Sequence, residues 1–288
     1  MKTTNKNTKK TDEASVLLEQ GVRNVFNNEN YVNYLNFQSK FHKYSVNNQM
    51  LIFMQKPDAT RVAGFTTWDK QLHRKVKKGE KAIKILAPIK HELTIDKDKD
   101  GNEIPEEERK TKTWITYKAV NVFDVSQTDG EPIPEPVEVC ETLEGNFDGY
   151  DMMLERLTNA AVSNKHVKSI VFKDISGGAT GYFHRGHNEI AIQRGMSERE
   201  TLSVLIHEIA HSILHKVGGK EVNADRRTKE VQAESIAYIV SHNIGLDTSK
   251  SSFGYIAEWA GNKEVKQLVQ SMNIIKKTAD EILDMIAA

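Results

Sequence analysis

The sequence predicts an α+β protein in two domains. Three observations carry this. The chain has 288 residues, enough to bury two separate cores. Helical and strand-like apolar periods occur in both halves, with no internal repeat. Between the halves, Ser126 to Glu144 is acidic, carries Pro132, Pro134 and Pro136, and has no apolar pattern, so it reads as a linker.

The elements follow in order. Residues 1–11 are polar and read as a disordered tail. Helical patterns occupy about 12–27, 29–42 and 46–55. Tyr34, Phe37, Phe41 and Tyr44, in and just after the second of these, are spaced as a buried helix face. Thr66 to Leu72 is a short helix. Ala82 to His91 places Ile83, Ile85, Ala87 and Ile89 on one face, the mark of a strand, and Thr113 to Val125 is its partner. Asp96 to Lys112 is charged, contains Gly101 and Pro105, and is expected to be a mobile acidic insert. The first domain therefore spans 12–128, the linker 129–146 and the second domain 147–288. That second domain reads as a helix at about 148–163, strands near 168–173, 179–184 and 188–192, and four further helices.

Formal charge is balanced, 40 Lys+Arg against 40 Asp+Glu, but unevenly placed. Residues 1–91 hold 17 basic and 7 acidic groups, and residues 92–155 hold 6 and 18. The basic block predicts an anionic partner for the first domain. A single Cys140 excludes an intrachain disulfide framework and suits a reducing cytosol, so a cytoplasmic location is expected. No apolar run is long enough to span a bilayer, and no apolar segment follows the polar start as in a secretory signal, so no membrane partner is expected.

The most informative segment is His207-Glu208-Ile209-Ala210-His211, an H-E-x-x-H. Ser197 and Glu200 form a capping box before it. Leu202, Leu205, Ile206, Ile209, Ile213 and Leu214 recur at helical spacing, and Gly218-Gly219 supplies a stop. Residues i and i+4 share a helix face, so His207 and His211 can offer two imidazoles to one metal ion. Glu208 is then the candidate catalytic base. A catalytic site needs a third ligand. His215 continues the series but lies two turns from His207, about 12 Å along the axis, too far to share one ion. Thr228 to Ile244 is helix-patterned and opens with Glu230-Val231-Gln232-Ala233-Glu234. Glu230 follows His211 by 19 residues, room for a turn and a returning helix. Glu234 lies one turn further, suited to orient a ligand histidine.

H-E-x-x-H followed by this E-x-x-x-E resembles the gluzincin metallopeptidases. Glu230-x-x-Ala233-Glu234-x-Ile236-Ala237 is similar to their ImmA/IrrE-like and ArdC-type branches. Gly181-Tyr182-Phe183, Asn188 to Ile192 and Ser252 to Trp259 also resemble ArdC-type segments. So do Lys43 to Gln49, Gly64 to Trp68, Val76 to Ala82 and Asn121 to Thr128 in the first half. The closest resemblance is to the ArdC/LtrC-like antirestriction proteins of Gram-positive conjugative elements. It implies an N-terminal α+β single-stranded-DNA-binding domain. It implies a C-terminal zincin-like metallopeptidase domain with a small sheet, an active-site helix and C-terminal helices. It maps the ligand carboxylate to Glu230, leaving Glu234 as an outer acid; the exchange of those two roles stays open. The expected ion is Zn²⁺, with Mn²⁺ or Co²⁺ as substitutes.

The expected partners are single-stranded DNA and a protein or peptide substrate. Arg74, Lys75, Lys77, Lys78 and Lys81 surround Gly79 in a basic turn that can hold phosphates. Trp68 and Phe65 beside it are stacking candidates. A peptide is expected to add to the strand near Ile190. Three function classes follow: an ArdC-like DNA-binding metallopeptidase protecting transferred DNA, an ImmA/IrrE-like protease that cuts a repressor, and a single-strand coat protein whose metal is structural. The two domains are expected to separate, residues 1–128 binding DNA without metal and residues 145–288 folding with metal.

Overall fold

The computed structural model describes residues 6–41, 43–95, 107, 109–131, 133, 147–246, 253–261 and 263–287. Cys140, most of the predicted linker and residues 96–106 of the predicted insert lie outside them. Two compact units are present. One comprises Met1–Gly21 with Met50–Glu131, the other Val22–Gln49 with Pro132–Ala288.

The first unit is α+β. Helix α1 (Lys6–Val25) and helix α3 (Val46–Gln55) each give residues to both units. Then follow β1 (Val62–Gly64), α4 (Phe65–Lys70), β2 (Arg74–Val76), β3 (Ile83–Ile95), β4 (Lys110–Asp124) and β5 (Thr128–Gly130). β4 is the centre of an antiparallel sheet in the order β1-β4-β3, and β2 pairs with β5. Ile83, Ile85 and Val122 bury the base of the long hairpin, with Leu51, Ile52 and Trp68 also in the core. The Gln55 amide extends the pairing of β3: it donates to the carbonyl of Lys84 and accepts from its N–H, both at 2.9 Å. A reciprocal cap follows β4. Asp124 accepts from Ser126 N–H, and the Gln127 side chain accepts from Asp124 N–H.

The second unit holds α2 (Asn28–Lys40), α5 (Tyr150–Ser163), β6 (Ser169–Lys173), β7 (Gly181–His184) and β8 (Glu189–Gln193). It continues with α6 (Glu198–Leu214), α7 (Arg226–Asn243), α8 (Ile256–Gly261) and α9 (Val265–Ala287). The sheet order is β6-β8-β7, with β6 parallel and β7 antiparallel to β8. Ile190, Ala191 and Ile192 are fully buried under α6. Helix α7 packs against α6, α9 and α2.

Four sequence expectations change. The tail ends sooner, since α1 begins at Lys6. The insert is shorter, because Lys110, Thr111 and Lys112 are strand residues paired with Ile95, Thr94 and Leu93. The linker begins later, because Asp129 and Gly130 pair with Lys75 and Arg74. Residues 22–49 fall in the second unit, not with the rest of 12–128. Tyr31 explains the last change. It is fully buried, its hydroxyl lies 2.8 Å from Ser235 Oγ of α7, and its ring meets Phe253 edge-on at 5.1 Å. Tyr238 donates to Asn36 Oδ1 at 2.7 Å, and Phe26 packs against Trp259. Periodicity shows that α2 has a buried face but not which core covers it. Of the aromatic series, Tyr34 and Phe37 on α2 and Phe41 at its cap are buried, whereas Tyr44 lies past the helix and is half-buried. Among the described residues no helix is long and apolar enough to cross a membrane.

Candidate metal centre

Helix α6 starts where the capping pattern places it: the Ser197 side chain accepts from Glu200 N–H. It ends at Leu214, one turn before the glycines, because His215 is the cap residue and is fully buried. Helix α7 is capped by Asp225, whose carboxylate accepts from the N–H and hydroxyl of Thr228. These two helices bring His207, His211 and Glu230 together, one ligand atom from each within 4.8 Å of the others. His207 Nε2 and His211 Nε2 are 3.0 Å apart, and each lies 3.6 Å from Glu230 Oε2. A tetrahedral ion with bonds of about 2.05 Å has ligand–ligand edges near ~3.3 Å. The triangle thus has the size that a zinc-type ion requires.

Hydrogen bonding sets the tautomers. Gln232 Nε2 faces Glu221 Oε2 at 3.3 Å, which turns its Oε1 toward His215 Nε2 at 3.2 Å. His215 therefore donates from Nε2 and accepts at Nδ1. Burial, foremost, pushes its pKa down to about 4, so the ring is neutral. His211 Nδ1 lies 2.8 Å from that Nδ1 and donates to it. The Nε2 lone pair of His211 is left pointing at Glu230 and His207. Such a partner behind a ligand fixes ring orientation and raises basicity. The structure gives this task to His215 and Gln232, not to Glu234. Glu234 instead accepts a hydrogen bond from the Tyr255 hydroxyl, and burial raises its pKa. The clue to His215 was its i+4 spacing from His211; Gln232 lies on another helix and left no local signal.

The imidazoles of His207 and His211 beside it hold the Glu230 carboxyl well below the usual carboxylate range. Burial opposes a charge on His207, but its Glu230 bond and the carboxylates of Glu208, Glu230 and Glu234 raise its pKa overall. Glu208 is 7% exposed, and burial pushes its carboxyl up while a hydrogen bond to the Phe183 backbone opposes this. A carboxylate poised in this way can both take and release a proton.

All five groups line one cavity of about 780 Å³, whose walls include Gly181 to Phe183. β7 is an edge strand, whereas the strand at Ile190 is β8, central between its neighbours and closed to a further strand. The expected peptide-binding edge is thereby moved from Ile190 to β7. A Cβ on Gly181 would lie 2.5 Å from Val204 Cγ1 and 3.4 Å from Glu208 Cγ, so glycine lets β7 lie close to α6. Arg185, Arg199 and Arg226 also line the cavity, a cationic feature missed in the sequence. Tyr238 lines it as well, with its hydroxyl committed to Asn36.

The predicted DNA-binding residues divide. Trp68 has no exposed surface and donates from Nε1 to the Phe123 carbonyl at 2.8 Å, so it is a core residue and no stacking platform. Arg74 is spent on β5: it donates to Thr128 Oγ1 and to the carbonyls of Thr128, Gly130 and Glu131. Lys77 donates to the Ser126 carbonyl at 3.1 Å. Lys75, Lys78 and Lys81 are exposed around Gly79, which sits at φ +92°. Phe65 is 58% exposed.

Fold and site define a two-domain α+β protein whose second unit sets an H-E-x-x-H helix against a three-stranded sheet. Residues 7–123 match the N-terminal domain of anti-restriction factor ArdC, and residues 165–250 match the IrrE N-terminal-like domain. The chain thus carries an ArdC-type N-terminal domain followed by an IrrE-like domain. An uncharacterized protein of Bacillus anthracis is 32% identical over 90% of this chain, which spans 48% of that relative's length. Two crystal structures of the antirestriction protein ArdC from plasmid R388 share the fold. The metal-free form has a TM-score of 0.56 at 18% identity over 85% of each chain. The Mn(II)-bound form has 0.53 at 16%, over 85% of this chain and 89% of that one.

Proposed function

We propose that this protein is a single-stranded-DNA-binding metallopeptidase with an antirestriction role. The observation that carries the peptidase half is the juxtaposition in one cavity of the His207–His211–Glu230 triangle, the buried Glu208 and the edge strand β7. His207, His211 and Glu230 hold the divalent ion, zinc by the chemistry of the ligand set. That ion supplies Lewis acidity toward a carbonyl and toward water. The substrate backbone pairs with β7, which places the scissile bond beside Glu208. The Glu208 carboxylate takes the proton of the attacking water, holds it, and releases it to the leaving amide nitrogen. Glu208→Gln is expected to keep full metal content and lose at least about 100-fold in peptide hydrolysis, since an amide cannot accept that proton. Cleavage at the wild-type rate by this variant, measured on an unfolded protein substrate, removes Glu208 from the mechanism.

The DNA half rests on the ArdC-type N-terminal match and on the exposed Lys75, Lys78 and Lys81. Contacts to phosphate alone are tolerant of sequence and sensitive to salt. Replacing the three lysines by Ala is expected to weaken oligonucleotides of every sequence alike. The slope of log affinity against log salt should flatten by roughly 0.7 per lost contact, about 2 in all. An unchanged slope moves the phosphate site elsewhere.

A further inference from the structure

The β3–β4 hairpin runs far beyond the core that supports its base. Ile83, Ile85 and Val122 are buried, but every residue from Thr111 to Lys118 is exposed. The paired stretch from Ala87 to Ile95 is about 30 Å long at roughly 3.4 Å per residue. Two strands with neither face covered are marginal in water. Yet of the eleven large hydrophobic residues exposed among the described residues, six lie here: Ile89, Leu93, Ile95, Trp114, Ile115 and Tyr117. Apolar surface concentrated on a ribbon marks a binding site.

Register assigns the faces, because directly opposed residues point the same way. One face carries the rungs Ala87–Lys118, Ile89–Thr116, His91–Trp114 and Leu93–Lys112. Trp114 is thus flanked along its strand by Lys112 and Lys118. Its ring stacks on His91 at 5.2 Å and 11° between planes, and His91 Nε2 is tied to Thr116 Oγ1 at 2.6 Å. The indole is backed on one side by an anchored ring, and it is 42% exposed. A flat aromatic surface interleaved with lysines is the pattern that takes a nucleic-acid single strand, bases on the ring and phosphates on the cations. A purely apolar partner would instead strip water from both lysines without return.

We infer that the Trp114 face of this ribbon is a single-strand binding surface, with Trp114 stacking a base and Lys112 and Lys118 contacting the flanking phosphates. This rests on the DNA-binding reading above and adds a second contact region to its basic turn.

The full-length protein carries its own reporter. Trp68 and Trp259 are 0% and 4% exposed, so quenching of tryptophan fluorescence by a 20-nucleotide oligo(dT) reads Trp114. Wild type is expected to be quenched on binding. Trp114→Phe should lose the quenching and bind within a few-fold of wild type, because phenylalanine still stacks. Trp114→Ala combined with Lys112→Ala and Lys118→Ala should weaken oligo(dT) at least about tenfold, with an unchanged thermal transition. Wild-type affinity in that triple variant overturns the inference, while the Lys75, Lys78 and Lys81 variant still reports on the basic turn. Failure of wild type to bind oligo(dT) at all overturns both readings. A wild-type dimer that becomes monomeric in the triple variant at constant oligo(dT) affinity makes the ribbon a self-association surface and overturns this one.

Discussion

A fragment of residues 147–288 is expected to lose the cooperative thermal transition of the full chain. The Pro-rich acidic segment suggests that everything after it folds alone, but the second unit also includes residues 22–49. Phe26 and Tyr31 are 4% and 0% exposed, and they pack against Trp259 and Phe253 of the same unit. Deleting a large buried aromatic costs about 3–5 kcal/mol, so losing two removes roughly 6–10 kcal/mol. That rivals the whole stability of a typical domain, about 5–15 kcal/mol. The deletion also removes the Tyr31 hydroxyl from Ser235 and the Asn36 acceptor from Tyr238. Far-ultraviolet circular dichroism on heating checks this. A fragment that melts sharply at the full-chain temperature shows that residues 22–49 are dispensable. In the full chain, Tyr31→Ala should lower stability by about 3–5 kcal/mol.

His211→Ala is expected to abolish stoichiometric metal binding, the largest effect of any single substitution. It removes one corner of the triangle and breaks the link to His215 and Gln232. Two donors do not hold zinc against ordinary competitors. His215→Ala should leave all three ligand atoms in place but free the His211 ring, and should cost roughly 10–100-fold in metal affinity. A chelator competition with both variants separates the two roles. Equal affinity in His215→Ala and wild type means that His215 only fills space.

The metal site was largely legible because its information is local. A helix places residues four apart on one face, so His207, His211 and Glu208 follow from spacing and capping alone. Turn length and a second helical period placed Glu230 and Glu234 together on a returning helix, and only the resemblance to ArdC-type sequences favoured Glu230 as the ligand. Glu234 lines the same cavity, but its partner Tyr255 could not be assigned from one side of α7. The DNA-binding residues were less legible for a different reason. Composition reports charge, not commitment: Arg74 serves β5, and Trp68 has its indole N–H on Phe123. The far end of the hairpin was hidden too. Thr94, Thr111 and Lys112 look like loop residues, because a strand exposed on both faces carries no alternation. Residues 22–49 show the remaining limit. An amphipathic period declares that a face is buried, and only tertiary structure says against what.

We propose that Glu230, and not Glu234, completes the metal site with the two histidines. This assignment is tested most directly by metal titration of the full-length protein with Glu230→Ala and Glu234→Ala side by side. The geometry predicts one divalent ion per chain in wild type and in Glu234→Ala, and its loss in Glu230→Ala. The reverse pattern, with Glu234→Ala losing the ion and Glu230→Ala keeping it, would contradict the assignment.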